Sequence, residues 1–289
     1  MQLALPSSRP GIALPPPTGK GGGMTNHDGG TPVPPHVTPP DSSESAHQDT
    51  PHQHTPHQHG AGAGHVHGAD TADVLDSMNP SNAAEKWDEL YSSTAGRRWS
   101  GNANPQLVHE ATGMTPGRAL DLGCGEGGDA LWLARNGWQV TAVDVSSVAL
   151  ARAAEHESTV LDELTGSISW EQRDLFTWQP SPEFDLVSAQ FLHSTALPWQ
   201  QALTTAAAAV GPGGTLLIVG HHPDQLPPWG AHRVGHALFT AAEVVSELGL
   251  ESAAWRLDFS GDRQRTVTGP EGQDAVIADV VIRAVRRAE

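Results

Sequence analysis

The chain has 289 residues, and its 33 acidic side chains outnumber 16 Lys plus Arg, giving a formal net charge of −17. Nucleic acids and anionic membranes are bound mainly through clustered basic side chains, so we expect neither as a partner. The single cysteine, Cys124, excludes an internal disulfide and a cysteine-based zinc cluster. The sequence has neither an apolar run of the ~20 residues that span a membrane nor a secretory signal pattern, which predicts a cytoplasmic protein.

Composition changes sharply near residue 80. Residues 1–80 contain 13 of the 23 prolines, whereas every aromatic side chain lies beyond them. A segment that is rich in Pro and Gly and lacks aromatics cannot bury enough apolar surface to offset its chain entropy. We therefore predict a disordered Pro/Gly/His-rich tail at 1–78 and one folded domain at 79–289.

The predicted tail contains a histidine repeat. The sequence TPHQH occurs at 50–54 and again at 55–59, and seven of the 16 histidines fall within 47–67. A flexible histidine tract could bind a divalent metal ion such as Ni²⁺, Cu²⁺ or Zn²⁺. It could also be a solvated low-complexity segment whose charge rises as the pH falls. Translation from Met24 or Met78 would remove part or nearly all of the tail.

Beyond residue 80 the sequence predicts helices and then alternating strands and helices. The first two helices are predicted over 82–91, with a capping box formed by Asn82 and Glu85, and over 105–111. Strands are predicted at 118–122, 139–145, 168–173, 184–190, 215–219, 255–259 and 276–285. Further helices are predicted at 130–134, 147–157, 199–210 and 240–248. This order predicts a doubly wound α/β fold, with a mostly parallel seven-stranded sheet and helices on both faces.

The turn between the first predicted strand and the next helix is rich in glycine. Gly123, Gly125 and Gly128 have the G-x-G-x-x-G spacing that lets a ligand approach the backbone closely. Three carboxylates surround this turn, those of Asp121, Glu126 and Asp129. They would repel a pyrophosphate placed at the start of the helix. The turn therefore favours a ligand that carries cationic groups.

The block ALDLGCGEG at 119–127 resembles the first motif of the class I S-adenosylmethionine-dependent methyltransferases. Asp144, which lies 23 residues after Asp121, matches the family's ribose-binding acid, and RDLF at 173–176 resembles its adenine-binding segment. The resemblance covers about 83–289 and implies a Rossmann-like fold with S-adenosylmethionine as the cofactor. It implies cofactor binding by Asp121, Gly123, Gly125, Asp144, Val145, Asp174, Leu175 and Gln190.

The N-terminal part of the folded region resembles a narrower group within that family. The patterns WxxxY at 87–91 and WSG at 99–101 are similar to small bacterial enzymes that include the tellurite-resistance methyltransferases. Trp87, Tyr91 and Trp99 could form an aromatic lid that attracts a sulfonium, or they could simply pack a helix on the sheet.

Methyl transfer from a sulfonium is an in-line displacement, so the protein mainly has to align the reactants. A general base is needed only when the acceptor loses a proton. His193 follows the fourth predicted strand and His221 follows the fifth, at the edge where open α/β sheets bind ligands. These two histidines are the candidate catalytic residues, because each could position or deprotonate an acceptor.

The preferred hypothesis is a methyltransferase that acts on a small-molecule acceptor. The alternatives are a nicotinamide-dependent oxidoreductase with the same fold and a metal-handling protein that works through its histidine-rich tail. No metal site is predicted in the folded domain. Oxygen, nitrogen, sulfur and tellurium acceptors all stay open, because acceptor pockets are built from loops that vary freely.

Overall fold

The computed structural model describes residues 77–194, 196–229, 238–269 and 271–288. The predicted tail with its histidine repeat lies outside these residues, apart from its last two positions. Its disorder, its binding of a metal ion and the domain boundary therefore stay predictions. Six helices lie within the described ranges: α1 (Ala83–Ser92), α2 (Pro105–Ala111), α3 (Gly128–Arg135), α4 (Ser147–Ser158), α5 (Trp199–Ala209) and α6 (Ala241–Glu247).

Seven strands form one sheet in the order β3-β2-β1-β4-β5-β7-β6. They are β1 (Arg118–Leu122), β2 (Gln139–Asp144), β3 (Ser167–Gln172), β4 (Phe184–Gln190), β5 (Val210–His221), β6 (Trp255–Thr268) and β7 (Asp274–Arg286). Strands β1 to β5 run parallel, and β7 pairs antiparallel with both β5 and β6. The prediction of a mostly parallel, doubly wound seven-stranded sheet is confirmed. Strand order reverses between β1 and β4, so the crevice at their carboxyl ends is where a ligand is expected.

The two faces of the sheet are covered by separate hydrophobic layers. Alternate residues of β5 point to opposite sides, so Leu216 and Ile218 join one layer while Leu217 and Val219 join the other. The first layer includes side chains of α5 and α6, and the second includes side chains of α2 and α3. Strands buried on both faces have near-continuous apolar sequences, which is why β4 and β5 were predictable from the sequence.

The last two strands are longer than predicted. The prediction ended β6 at residue 259, but the strand continues through Thr268 and pairs with β7 along its length. Along β6, half-buried and exposed residues alternate over all 14 positions. A hairpin of this kind is held by the hydrogen bonds between its two strands and needs no continuous apolar run. The polar second half of β6 therefore has the sequence pattern of a loop.

Helices α1 and α4 differ in how their N-termini are capped. The capping box at Asn82 is wrong, since the Asn82 side chain makes no cap bond and its Oδ1 accepts from the Asn79 amide at 2.7 Å. Ser146 caps α4, because its hydroxyl accepts from the Ala149 amide at 3.1 Å. Within the described ranges, no helix combines the length and apolar character needed to span a bilayer. The cytoplasmic location stays a prediction.

Candidate functional site

The glycine turn after β1 is tied closely to β2. The amides of Gly123 and Cys124 both donate to the Val143 carbonyl, at 2.8 and 3.0 Å. Gly123 and Gly125 adopt φ values of +67° and +52°, which residues with a side chain rarely adopt. A Cβ at Gly123 would lie 2.5 Å from Leu192 Cδ1, and a Cβ at Gly125 would lie 2.9 Å from Tyr91 Oη. The turn therefore requires glycine for both its conformation and the space above it.

Asp144 ends β2 directly beside the turn. Its Oδ2 accepts from the Gly125 amide at 2.9 Å, and its Oδ1 accepts from the Ser146 amide at 2.8 Å. These bonds fix the carboxylate at the carboxyl edge of the sheet, between the glycine turn and the first turn of α4. Val145 follows immediately, and its carbonyl accepts from Gln172 Nε2 at 2.9 Å.

Two buried oxygen atoms at this edge accept no hydrogen bond from any described residue. Asp121 near the end of β1 is 2% exposed, and no described residue donates a hydrogen bond to its Oδ2. Gln190 ends the neighbouring β4, where its Nε2 donates to Ser188 Oγ at 2.9 Å. The Oε1 atom of Gln190 is buried and likewise accepts no hydrogen bond within the described part of the chain. Buried acceptors are nearly always satisfied, so this pair indicates a ligand that donates hydrogen bonds.

The carboxyl groups around the turn have raised pKa values. Burial raises the pKa of Asp121 well above its usual range, and repulsion from Asp129 and Asp144 adds to the effect. Burial raises the pKa of Asp129 to about 6, although the Asn104 amide donates to it at 2.6 Å. Burial also raises the pKa of Asp144, against the lowering effect of its amide donors. A cation placed among these groups would stabilise their ionised forms.

Glu126 has a role that its position in the motif did not predict. Its carboxylate accepts from the amides of Arg98 and Trp99, at 2.9 and 3.1 Å, and from Arg152 Nη1 at 3.0 Å. Arg152 also donates to the Thr94 carbonyl at 2.7 Å. Glu126 is therefore engaged by the protein itself and anchors the segment between α1 and α2 above the glycine turn.

Aromatic side chains from that segment cover the turn. Trp99 Nε1 donates to Tyr91 Oη at 3.1 Å, and Tyr91 is 4% exposed. Both side chains lie over Gly125, as the lid interpretation requires. Trp87 packs instead with Met78, Leu90 and Ala196, which is the packing alternative. Trp87 also contacts Tyr91, with ring centroids 6.1 Å apart, and the role of the three side chains as a lid stays a prediction.

Helix α1, which carries Tyr91, is docked on α4 through one carboxylate. Asp88 accepts from the hydroxyls of Ser146 and Ser147, at 2.6 and 3.0 Å, and from the Val148 amide at 3.1 Å. These donors belong to the N-terminus of α4, where a negative charge is favourable. No sequence pattern pairs Asp88 with residues almost 60 positions away, so this contact could not be predicted.

The predicted adenine-binding segment follows β3 at the same edge of the sheet. Asp174 is exposed, and its Oδ1 accepts from the Phe176 amide at 2.9 Å in a local turn. Leu175 is buried in the hydrophobic layer that contains Val143. The Arg173 amide donates to the Asp144 carbonyl at 2.9 Å, which places the segment next to the ribose-binding candidate. The adenine contacts themselves stay a prediction.

The two candidate catalytic histidines lie together. Their rings stack with centroids 5.5 Å apart, and His193 Nε2 accepts from the His221 amide at 3.0 Å. This bond occupies Nε2 of His193 and holds its loop against the end of β5. His193 therefore has a clear positioning contact, while a direct catalytic role for either histidine stays a prediction.

The fold and the glycine turn agree with the comparison of this sequence with known families. Residues 119–214 match the family model described as a methyltransferase domain. This part of the chain is therefore similar to a methyltransferase domain, in agreement with the motif resemblance.

Curated relatives, among them three methyltransferases, match parts of this chain. A protein named probable thiol methyltransferase 2 from Arabidopsis thaliana is 31% identical over 117 residues, which are 40% of this chain and 51% of that protein. Ribosomal RNA small subunit methyltransferase C from Alcanivorax borkumensis is 49% identical over 118 residues, which are 39% of this chain and 35% of that protein. Thiocyanate methyltransferase 1 from Arabidopsis thaliana is 34% identical over 104 residues, which are 35% of this chain and 44% of that protein. The chain thus spans about half or less of each relative's length.

Solved structures support the fold. TehB from Haemophilus influenzae superposes with a TM-score of 0.50 at 20% identity, over 71% of this chain and 66% of that one. A SAM-dependent methyltransferase from Methanosarcina mazei also gives 0.50 at 20% identity, over 65% and 100% of the two chains. At these identities the likeness concerns the fold alone.

Proposed function

We propose that this protein transfers a methyl group from S-adenosylmethionine to a small-molecule acceptor. The observation that carries the proposal is the pair of buried acceptor atoms without donors, Asp121 Oδ2 and Gln190 Oε1, at the edge of the sheet where its strand order reverses. An ammonium group supplies three donors and a positive charge, and so suits this edge.

The residues of the turn fit the proposed cofactor. A Cβ at Gly123 or Gly125 would clash with Leu192 or Tyr91, so glycine at these positions lets a neighbouring group, such as an amino acid moiety, approach the backbone closely. Asp144 is placed to accept from the two ribose hydroxyls once the Gly125 amide releases Oδ2. Val145, Asp174 and Leu175 would complete the nucleoside side of the site.

When bound, S-adenosylmethionine supplies an electrophilic methyl group on a sulfonium whose leaving group is a neutral thioether. The protein then has three tasks: to hold the cofactor, to orient the acceptor in line with the methyl carbon, and to exclude water. Tyr91 and Trp99 serve the last task in this proposal, because they cover the glycine turn and are held there by Glu126. Their faces also attract a sulfonium.

Two alternatives are less well supported. A nicotinamide cofactor would bring a pyrophosphate next to Asp121 and Asp129, where the raised pKa values already indicate excess negative charge. A ribosomal RNA acceptor, as named for one relative, would meet a chain with a net charge of −17. The relatives named for thiol and thiocyanate support a small acceptor.

Calorimetric titration of the full chain with S-adenosylmethionine tests the proposal. Asp144→Asn should weaken binding about 10- to 100-fold, because each charge-assisted bond contributes about 1.5–3 kcal/mol. Asp185→Asn is the matched control, since that carboxylate also accepts a backbone amide, from Arg118 at 2.8 Å, but at the opposite edge of the sheet. Equal affinities in the two variants would contradict the assigned role of Asp144, and absence of binding by the wild type would overturn the proposed function.

A further inference from the structure

A buried carboxylate faces one of the candidate catalytic histidines. Asp279 on β7 lies opposite His221 in the strand register, and Asp279 is 1% exposed. Its Oδ1 lies 4.0 Å from His221 Nδ1, and its Oδ2 accepts from Arg265 Nε at 2.7 Å. No described residue forms a standard hydrogen bond with Oδ1. The carboxylate is thus held by Arg265 through one oxygen while the other oxygen faces the imidazole.

The ring of His221 is held by stacking as well. Phe191 stacks on it with centroids 4.4 Å apart, and Phe191 adopts a φ of +48°. A positive φ is costly for an aromatic residue and is typical of functional sites. The Phe191 amide donates to the Val219 carbonyl at 2.8 Å, which fixes the strained residue against β5. The imidazole therefore has a defined plane and a defined neighbour at Nδ1.

The loop after β4 connects this histidine to the glycine turn. Leu192 lies against Gly123, whereas Phe191 and His193 lie against His221. Because His193 Nε2 already accepts from the His221 amide, His221 is the better candidate for proton uptake. The 4.0 Å between His221 Nδ1 and Asp279 Oδ1 exceeds a hydrogen-bond distance, and if the two groups close it, the basic nitrogen of His221 is Nε2.

We propose that Asp279 is a positioning residue that holds His221 as a general base, and that the acceptor is a thiol. The inference rests on the proposed methyltransferase function and names the acceptor class of that same site. In the step, His221 Nε2 takes the thiol proton and the sulfur lone pair forms a bond to the methyl carbon that the cofactor supplies. The bond from that carbon to the sulfonium sulfur breaks, and its electron pair stays on the departing thioether.

A thiol fits an imidazole base better than other acceptors do. Proton transfer is most effective between groups of similar pKa, and a thiol near 8.5 lies much closer to imidazole near 6.5 than an alcohol does. Among the described residues, three charged or titratable groups face His221: Asp279 on β7, His193 after β4, and Arg265 of β6 across Phe191. Removing the Asp279 charge should lower the His221 pKa, because an opposite charge nearby favours the imidazolium.

The test compares two acceptors in the full-length protein. 2-Mercaptoethanol must lose a proton near neutral pH, whereas thiocyanate is already an anion. His221→Gln should reduce kcat/KM for 2-mercaptoethanol by about 10²–10⁴-fold at pH 7 and leave thiocyanate transfer nearly unchanged. Asp279→Asn should reduce thiol transfer less, and should move the rising limb of its pH profile to lower pH.

A second readout does not depend on turnover. The NMR titration of the His221 imidazole, assigned by its loss in His221→Gln, should give a pKa lower by about one unit or more in Asp279→Asn. His222 and Asp262 provide the matched control, as a second histidine–carboxylate pair with Nε2 and Oδ2 3.7 Å apart. Asp262→Asn should change neither acceptor's rate nor the His221 pKa.

The results separate this inference from the proposed function. Loss of thiol transfer alone, with a lowered His221 pKa in Asp279→Asn, would support the inference. Equal losses with both acceptors, an unchanged His221 pKa, or a wild type that methylates thiocyanate but no thiol would overturn it and leave the methyltransferase function standing. A wild type that does not bind S-adenosylmethionine would overturn both.

Discussion

The glycine turn shows how single residues determine what this site can bind. Asp121 and Asp144 were predicted because they lie in or near a contiguous motif, and local sequence fixes their position relative to the turn. Glu126 and Asp279 have partners that come from remote helices and strands, so no sequence spacing predicts those contacts. The positions of the groups proposed to hold the cofactor were therefore largely predictable, and the surroundings of His221 were not.

Gly125→Ala should abolish cofactor binding beyond its effect on stability. The change forces an L side chain into a φ of +52° and brings its Cβ to 2.9 Å from Tyr91 Oη. Backbone strain of this kind costs about 1–2 kcal/mol. Gly213→Ala is the control, since Gly213 has a φ of +78° but open space around it. The midpoint temperature of thermal unfolding should fall in both variants, whereas calorimetry should show a loss of cofactor binding only in Gly125→Ala.

Binding of S-adenosylmethionine should release protons near pH 6. The pKa of Asp129 is raised to about 6 and that of Asp121 is well above its usual range, and a bound cation favours the ionised form of each carboxyl. Affinity should therefore fall as the pH is lowered from 7.5 to 5. Titrations in two buffers of different ionisation enthalpy measure the release, and Asp129→Asn should reduce it. Identical heats in the two buffers would contradict this assignment.

At the scale of elements, the sequence predicts what local patterns determine. Strands β1, β2, β4 and β5 are mostly buried, whereas β3 has only half-buried and exposed residues. The positions of all five were predicted to within a few residues except at the start of β5, where residues 210–214 extend the strand. The capping box at Asn82 failed because Asn79 competes for the same side chain. The second half of β6 was missed because its stability comes from pairing with β7, which sequence periodicity does not contain.

Glu126→Gln should loosen the segment between α1 and α2. The substitution removes the charge that holds Arg152 and weakens the bonds from the amides of Arg98 and Trp99, so we expect a loss of about 1–3 kcal/mol in stability. Hydrogen exchange at those two amides should accelerate. Glu163→Gln is the comparison, because its bridge to Arg135 is exposed and should contribute at most about 1 kcal/mol. Unchanged exchange in Glu126→Gln would rule out the anchoring role.

At the scale of the whole molecule, the fold was predictable because alternation of strands and helices leaves few topologies. Right-handed crossovers and a buried parallel sheet then place the ligand site at the carboxyl edge. The surroundings of His221, where we propose that the acceptor binds, could not be predicted, because they come from β4, β5, β6 and β7 together and only the folded chain brings them into contact.

Removal of residues 1–76 should leave cofactor affinity within about twofold of the full chain. Every side chain assigned to the cofactor lies between Tyr91 and Gln190, inside the described ranges. Parallel calorimetric titrations of the two proteins measure the difference. A loss of binding on truncation would contradict the predicted division of the chain near residue 78.

We propose above that the acidic glycine turn binds S-adenosylmethionine. A crystal structure of the full chain with S-adenosylhomocysteine is the most direct test of this binding site. We expect the ribose hydroxyls to donate hydrogen bonds to the Asp144 carboxylate, and the ligand's amino group to donate to Asp121 Oδ2 or Gln190 Oε1. Clear density for the ligand elsewhere, with Asp144 still bonded to the Gly125 amide, would contradict it.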